Sequence, residues 1–90
     1  MKRVNIIISG DVQGVFFRAF VRDKANNLGL KGYVKNIEDG KVEAIVEGHE
    51  AKINKLVEIC KEGPVGSRIE KIEVKIKPYK GEFKEFKIRT

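Results

Sequence analysis

The chain has 90 residues, 41% of them hydrophobic, which suits one small domain over residues 1–90 with an adequate but not generous core. No apolar stretch approaches a membrane span, the first apolar run is too short for a signal peptide, and one cysteine excludes an internal disulfide, so a cytoplasmic location without a membrane partner is expected. A formal net charge of +6 favours anionic partners, small phosphates or nucleic acid, although the basic residues are interleaved with glutamates, as from Lys71 through Glu73 and Lys75 to Lys77, in the manner of a solvated face.

In chain order, Arg3 to Ser9 reads as a strand with Val4, Ile6 and Ile8 on one face. The next residues, Gly10-Asp11-Val12-Gln13-Gly14-Val15-Phe16-Phe17-Arg18, form a turn with two glycines that leads into a helix. That helix is expected from about Phe17 to Leu28, with Phe17, Val21, Ala25 and Leu28 as its apolar stripe and Gly29 as its cap. Gly32 to Gly48 reads as a hairpin with Asp39-Gly40 at the tip and Val42, Ala44 and Val46 facing inward. A second helix spans about Glu50 to Lys61, because Ile53, Leu56, Val57 and Cys60 fall at i, i+3, i+4 and i+7. Gly63-Pro64 and Gly66 end it. A strand bearing Ile72, Val74 and Ile76 follows, then a turn from Pro78 to Gly81 and a last strand with Phe86 and Ile88. The order βαββαβ plus a C-terminal strand predicts an α+β, ferredoxin-like sandwich, an antiparallel sheet with two helices on one face.

The turn after the first strand carries the most chemistry. A helix start leaves backbone N–H groups unpaired at the positive end of the macrodipole. Gly14 can take a positive φ and let those groups converge, and Arg18 adds a planar fork of donors suited to two phosphate oxygens. The residues Gln13, Gly14, Val15, Phe16, Phe17 and Arg18 therefore describe a pocket for a phosphate-sized anion. The same residues also suit a plain strand-to-helix turn. A P-loop is excluded, since Gly14 is followed by Val15-Phe16-Phe17 without Lys or Ser/Thr, and the dinucleotide pattern Gly-x-Gly-x-x-Gly is missing.

A second segment, Gly32-Tyr33-Val34-Lys35-Asn36-Ile37-Glu38-Asp39-Gly40-Lys41-Val42-Glu43, decides between these readings. Taken with Gly10-Asp11-Val12-Gln13-Gly14-Val15-Phe16-Phe17-Arg18, it closely resembles the acylphosphatase family. That family has a Gly-x-Val-Gln-Gly-Val-x-Phe-Arg loop followed, after one helix, by Gly-x-Val-x-Asn-x-x-Asp-Gly-x-Val-Glu. Both motifs match at their defining positions and in order, and the resemblance covers nearly the whole chain. It implies that Arg18 binds the phosphoryl group, that Asn36 orients the attacking water, and that the substrate is a small acyl phosphate hydrolysed without metal or cofactor. The family's variable position is Phe16 here, an apolar choice that would line or support the loop.

The topology permits that pairing. In a split βαβ unit a right-handed crossover returns the second strand parallel to the first, which brings the loop and Asn36 to one end of the sheet. The chemistry permits it too, because the leaving carboxylate is stable at neutral pH and needs no general acid. Phosphoryl transfer relies on positioning and charge stabilisation, which backbone N–H groups and Arg18 can supply. Asn36 can hold a water but is no strong base, so a phosphate oxygen would take the proton. On its residues alone, Asn36 would read as a polar residue at a strand edge.

Other constellations are weaker. Cys60 and Arg68 are separated by seven residues, not the five of a Cys-x₅-Arg phosphatase loop, and Cys60 lies on an apolar helix stripe. His49 has no second ligand at metal spacing, Asp11 and Asp39 read as turn residues, and Lys31-Gly32-Tyr33 resembles an RNA-binding motif that Val34 and Lys35 break. No nucleic-acid partner is therefore expected. A loop open to solvent suggests loose selection on the acyl side, and nothing in the residues specifies an oligomeric state. The alternative is a ferredoxin-like module that binds a phosphate-bearing ligand or RNA without turnover.

Overall fold

A computed structural model describes residues 1–90, with the side chain of Val15 lying outside the described set. The elements are β1 (Lys2–Asp11), α1 (Val15–Asn27), β2 (Lys31–Asn36), a 3₁₀ turn (Glu38–Gly40), β3 (Val42–Gly48), α2 (Glu50–Glu62), β4 (Arg68–Lys77) and β5 (Phe86–Ile88). They form one five-stranded sheet in the order β4-β1-β3-β2-β5 with both helices packed together on one side. β3 fills the gap between β1 and β2, as a split βαβ unit requires.

The ferredoxin-like arrangement holds, with one difference at the sheet edge. β5 pairs with β2 in parallel, Gly32 opposite Phe86 and Val34 opposite Ile88, so the sheet is mixed and not antiparallel throughout. The reason is directional. Irregular chain from Pro78 to Glu85 carries the strand back across the sheet before it enters beside β2, an excursion too long for a hairpin. α1 also starts two residues earlier than its apolar stripe indicates, at Val15, and its cap position is Leu28, with Gly29 following at φ 71°.

Alternation explains the layers. Val4, Ile6 and Ile8 of β1 and Val42, Ala44 and Val46 of β3 meet Phe17, Val21 and Ala25 of α1 and Ile53, Leu56 and Cys60 of α2 in one buried cluster. β4 is an edge strand, and its Val74 and Ile76 stay largely exposed despite their alternating pattern.

The face away from the helices is not simply solvated. Glu47 of β3 is only 3% exposed, and its Oε2 accepts from Arg3 Nη1 at 3.2 Å, Lys80 N at 2.9 Å and Gly81 N at 3.3 Å. Arg3 also donates to Glu82 at 2.7 Å and lies 5.2 Å from the Phe83 ring centre, while Phe83 meets Tyr33 edge-on. The hydrogen bond from Arg3 holds the Glu82 carboxyl below its usual pKa. One buried carboxylate thus pins the 78–85 segment across the sheet, at the end far from the β1–α1 loop.

Candidate active site

The loop between β1 and α1 is anchored at Val12, which is buried, and passes through Gln13 to Gly14. Gly14 occupies the N-cap position of α1 with φ 129° and ψ 161°, a region open in practice only to glycine. It provides no capping side chain, and no acidic residue stands in the first turn. The opening N–H groups of a 13-residue helix therefore keep their donor capacity and the helix its positive end. Arg18 N–H reaches back to Gly14 O at a long 3.5 Å.

The six loop residues divide by role in the packing. Gln13 Nε2 donates to Ile37 O at 2.8 Å and to Lys41 O at 3.1 Å, which ties the loop to both ends of the hairpin turn. Phe17 is core, so only its backbone is available to a ligand, whereas Phe16 points outward. Val15 opens the helix, and its side chain is outside the described residues. Arg18 Nη1 donates to Arg89 O at 3.3 Å.

Asn36 is the last residue of β2, in phase with Gly32 and Val34 on the side toward the helices. Ties on both flanks bring it to the loop. Gln13 bonds to Ile37 just beyond it, and Arg18 bonds to Arg89, whose own N–H donates to Val34 O at 2.8 Å. Among the described residues, two buried side-chain polar atoms lack a hydrogen-bond partner: Arg18 Nε and Asn36 Oδ1. Such atoms are uncommon in folded proteins and mark strain, a bound water or ion, or a ligand contact. Here one is a cationic donor and the other a neutral acceptor, at the same end of the same βαβ unit. Asn36 also lines a groove of about 610 Å³ with Ile7, Lys35, Glu38, Lys41 and Glu73, whose charged side chains stand over the strand surface.

The other sequence candidates lie apart. Cys60 is buried, its thiol pushed up to about 12 by burial, so it holds no reactive thiolate near neutral pH. Arg68 is exposed on β4. His49 is an exposed N-cap of α2, and among the described residues no three His, Cys, Asp or Glu side chains are grouped to hold a metal. Asp39 adopts φ 63° in the hairpin turn, which suits a turn residue. No helix is long and apolar enough to cross a membrane. Two features of the site escape sequence reading: the Gln13 side-chain bridge and the Arg89 carbonyl. The second has no local signal, because it depends on the parallel placement of β5.

Comparison with known proteins gives a consistent result. A model of the acylphosphatase family matches residues 4–88. The acylphosphatase of Pyrobaculum aerophilum is 49% identical over 98% of this chain and 94% of its own, and that of Aeropyrum pernix is 47% identical over 97% and 87%. The crystal structure of acylphosphatase from Bacillus subtilis superposes with a TM-score of 0.94 at 38% identity, covering all of both chains.

Proposed function

Because the chain belongs to the acylphosphatase family, we propose that it hydrolyses small acyl phosphates by direct attack of water, with Arg18 and the loop N–H groups holding the phosphoryl group and Asn36 orienting the water. The observation that carries this division is the pair of unpartnered buried atoms. Arg18 Nε is a fixed positive donor for a phosphoryl oxygen. Asn36 Oδ1 is an acceptor that can take one hydrogen of a water and aim its lone pair at phosphorus.

In the step, the water oxygen bonds to phosphorus as the bond from phosphorus to the acyl oxygen breaks. The electron pair leaves with the carboxylate, which is stable as an anion and needs no acid. The water proton passes to a phosphoryl oxygen. The transition state is loose and spreads charge over the equatorial oxygens, so donors fixed before the substrate arrives supply most of the acceleration. Gly14 contributes the backbone direction, and Gln13 keeps the loop in place through Ile37 and Lys41. No chain residue is required as nucleophile or metal ligand.

The test is steady phosphate release from acetyl phosphate with and without chelator, then the same assay on two variants. Arg18→Ala is expected to lose substrate affinity, turnover and inhibition by inorganic phosphate together. Asn36→Ala is expected to keep phosphate inhibition while kcat falls by about a hundredfold to a thousandfold. Equal loss of phosphate inhibition in both folded variants would refute the division of roles. Absence of turnover by the folded wild-type protein at substoichiometric concentration would point instead to a module that binds phosphate-bearing ligands without chemistry.

A further inference from the structure

β4 lies at the edge of the sheet and pairs with β1 alone, so the backbone N–H and C=O groups along its other side face no strand. Its regular part is bounded at both ends. A bulge opposite Ser9 and Gly10 interrupts the pairing before Lys71, and Pro78, which has no N–H to donate, follows Lys77. Within residues 71–77 the inner row of Ile72, Val74 and Ile76 extends the apolar positions Ile8, Ile6 and Val4 of β1. α2 covers this row only in part. Val74 is 45% and Ile76 77% exposed, and with Val4 and Ile53 they line a groove of about 200 Å³ against the start of α2. The outer row is charged: Lys71, Glu73, Lys75 and Lys77.

Lysines on an edge ordinarily deter pairing with another chain. Here one register matches them. When two copies of residues 71–77 run antiparallel about a two-fold axis at Val74, the whole regular segment pairs, and Glu73 of each copy faces Lys75 of the other. On the inner face Ile72 meets Ile76 and Val74 meets its own counterpart. A slip of one residue would set the apolar row against the charged row. A slip of two would put Glu73 opposite Glu73 or Lys75 opposite Lys75. Like charges meet only where Lys71 faces Lys77 at the exposed ends, and Lys71 already lies 3.4 Å from Glu73 of its own strand. We therefore propose that β4 is the docking edge for a second copy of this chain, which joins two five-stranded sheets into one with the helices of both copies on the same face. The dimer continues the apolar rows from one β1 to the other and covers Val74 and Ile76. Its contact is one strand pair and a short apolar row, a small interface, so a dissociation constant of about 10–100 μM is expected. The alternation of Lys and Glu that reads in the sequence as a solvated face is thereby self-complementary.

The measurement is sedimentation equilibrium of the full chain from about 10 μM to about 1 mM, over which the wild type is expected to pass from monomer to dimer. Lys75→Glu places a carboxylate opposite Glu73, and Glu73→Lys places an ammonium opposite Lys75. Each variant alone is expected to weaken the dimer by about tenfold, because two symmetric pairs turn from attraction to repulsion. Mixed in equal amounts, the two variants present opposite charges at both contacts and are expected to form a heterodimer at least as tight as the wild-type dimer. Both side chains lie on the outer row and not in the core, and circular dichroism checks that each variant is folded. A wild type that stays monomeric at about 1 mM overturns the proposal. So does a dimer that both single variants leave unchanged, or a mixture that associates no better than its components.

Discussion

Replacing Gly14 with alanine isolates the contribution of backbone direction to the anion loop. A Cβ built on Gly14 meets no atom within 4 Å, so the substitution creates no clash with the rest of the chain. Its cost is local. At φ 129° and ψ 161° an L-residue is strained by about 1–3 kcal/mol. The loop can answer in two ways. It can hold the native angles, in which case the strain appears as lost stability, a fall in Tm of about 4–8 °C per kcal/mol for a domain of this size. Alternatively it can rotate the flanking peptide planes, in which case the strain is relieved and the N–H groups turn away from the anion. A relaxed loop would then show a weaker inorganic phosphate inhibition constant, about tenfold for each 1.4 kcal/mol. The two losses together are expected to amount to about 1–3 kcal/mol. The assay is urea unfolding of wild type and Gly14→Ala beside competitive inhibition by phosphate. Chemical synthesis with D-alanine at position 14, which accepts positive φ, should restore both quantities. Unchanged stability together with unchanged phosphate inhibition in Gly14→Ala would refute the role assigned to this glycine.

Three further outcomes are expected. Glu47→Gln removes the charge that receives Arg3, Lys80 and Gly81 on one oxygen, and urea unfolding should show a loss of about 2 kcal/mol with the acetyl phosphate KM unaltered; a loss below about 0.5 kcal/mol would contradict the pinning role. Gly32→Ala should fail where Gly14→Ala survives, because a Cβ on Gly32 would run into the Ile45 carbonyl oxygen across β2 and β3, and a circular-dichroism melt should show a destabilisation of about 3 kcal/mol or more. Burial raises the Cys60 thiol from 9.0 to about 12 in the folded chain, so the unfolded chain releases this proton first. The associated stability is complete below pH 9 and falls as pH rises toward 12, by about 1.4 kcal/mol per unit. Comparing unfolding of wild type and Cys60→Ala at pH 8, 9 and 10 checks this, and parallel curves would count against it.

Much of the framework was readable because short-range periodicity dictates it. The stripe of Ile53, Leu56 and Cys60 places α2, and the alternation of Val42, Ala44 and Val46 sets the inner face of β3. The positive φ of Gly14 follows from what a helix-opening loop asks of its backbone. What stayed hidden is long-range. Glu47 looks like one more glutamate in a charged strand, and only the return of residues 78–85 makes it a buried hub. Val74 and Ile76 show the alternation of a buried face, yet they flank the sheet edge where little packs on them. At the candidate site, Arg18 and Asn36 were legible through their motifs, while the groove that Asn36 lines was not. That groove draws its walls from β1, β2, the hairpin turn and β4, elements whose adjacency no local pattern encodes.

The bond from Arg18 to the Arg89 carbonyl has a temporal consequence. It joins residues 71 positions apart, and Arg89 reaches its place only after Phe86–Ile88 has added beside β2. Contacts of such long sequence separation form late, because the intervening chain must be ordered before they are rewarded. A chain with both helices wound and four strands paired would have its fold without its anion clamp fully braced. Refolding should therefore recover helical signal before it recovers phosphate binding. The lag between the two would time the arrival of the last strand.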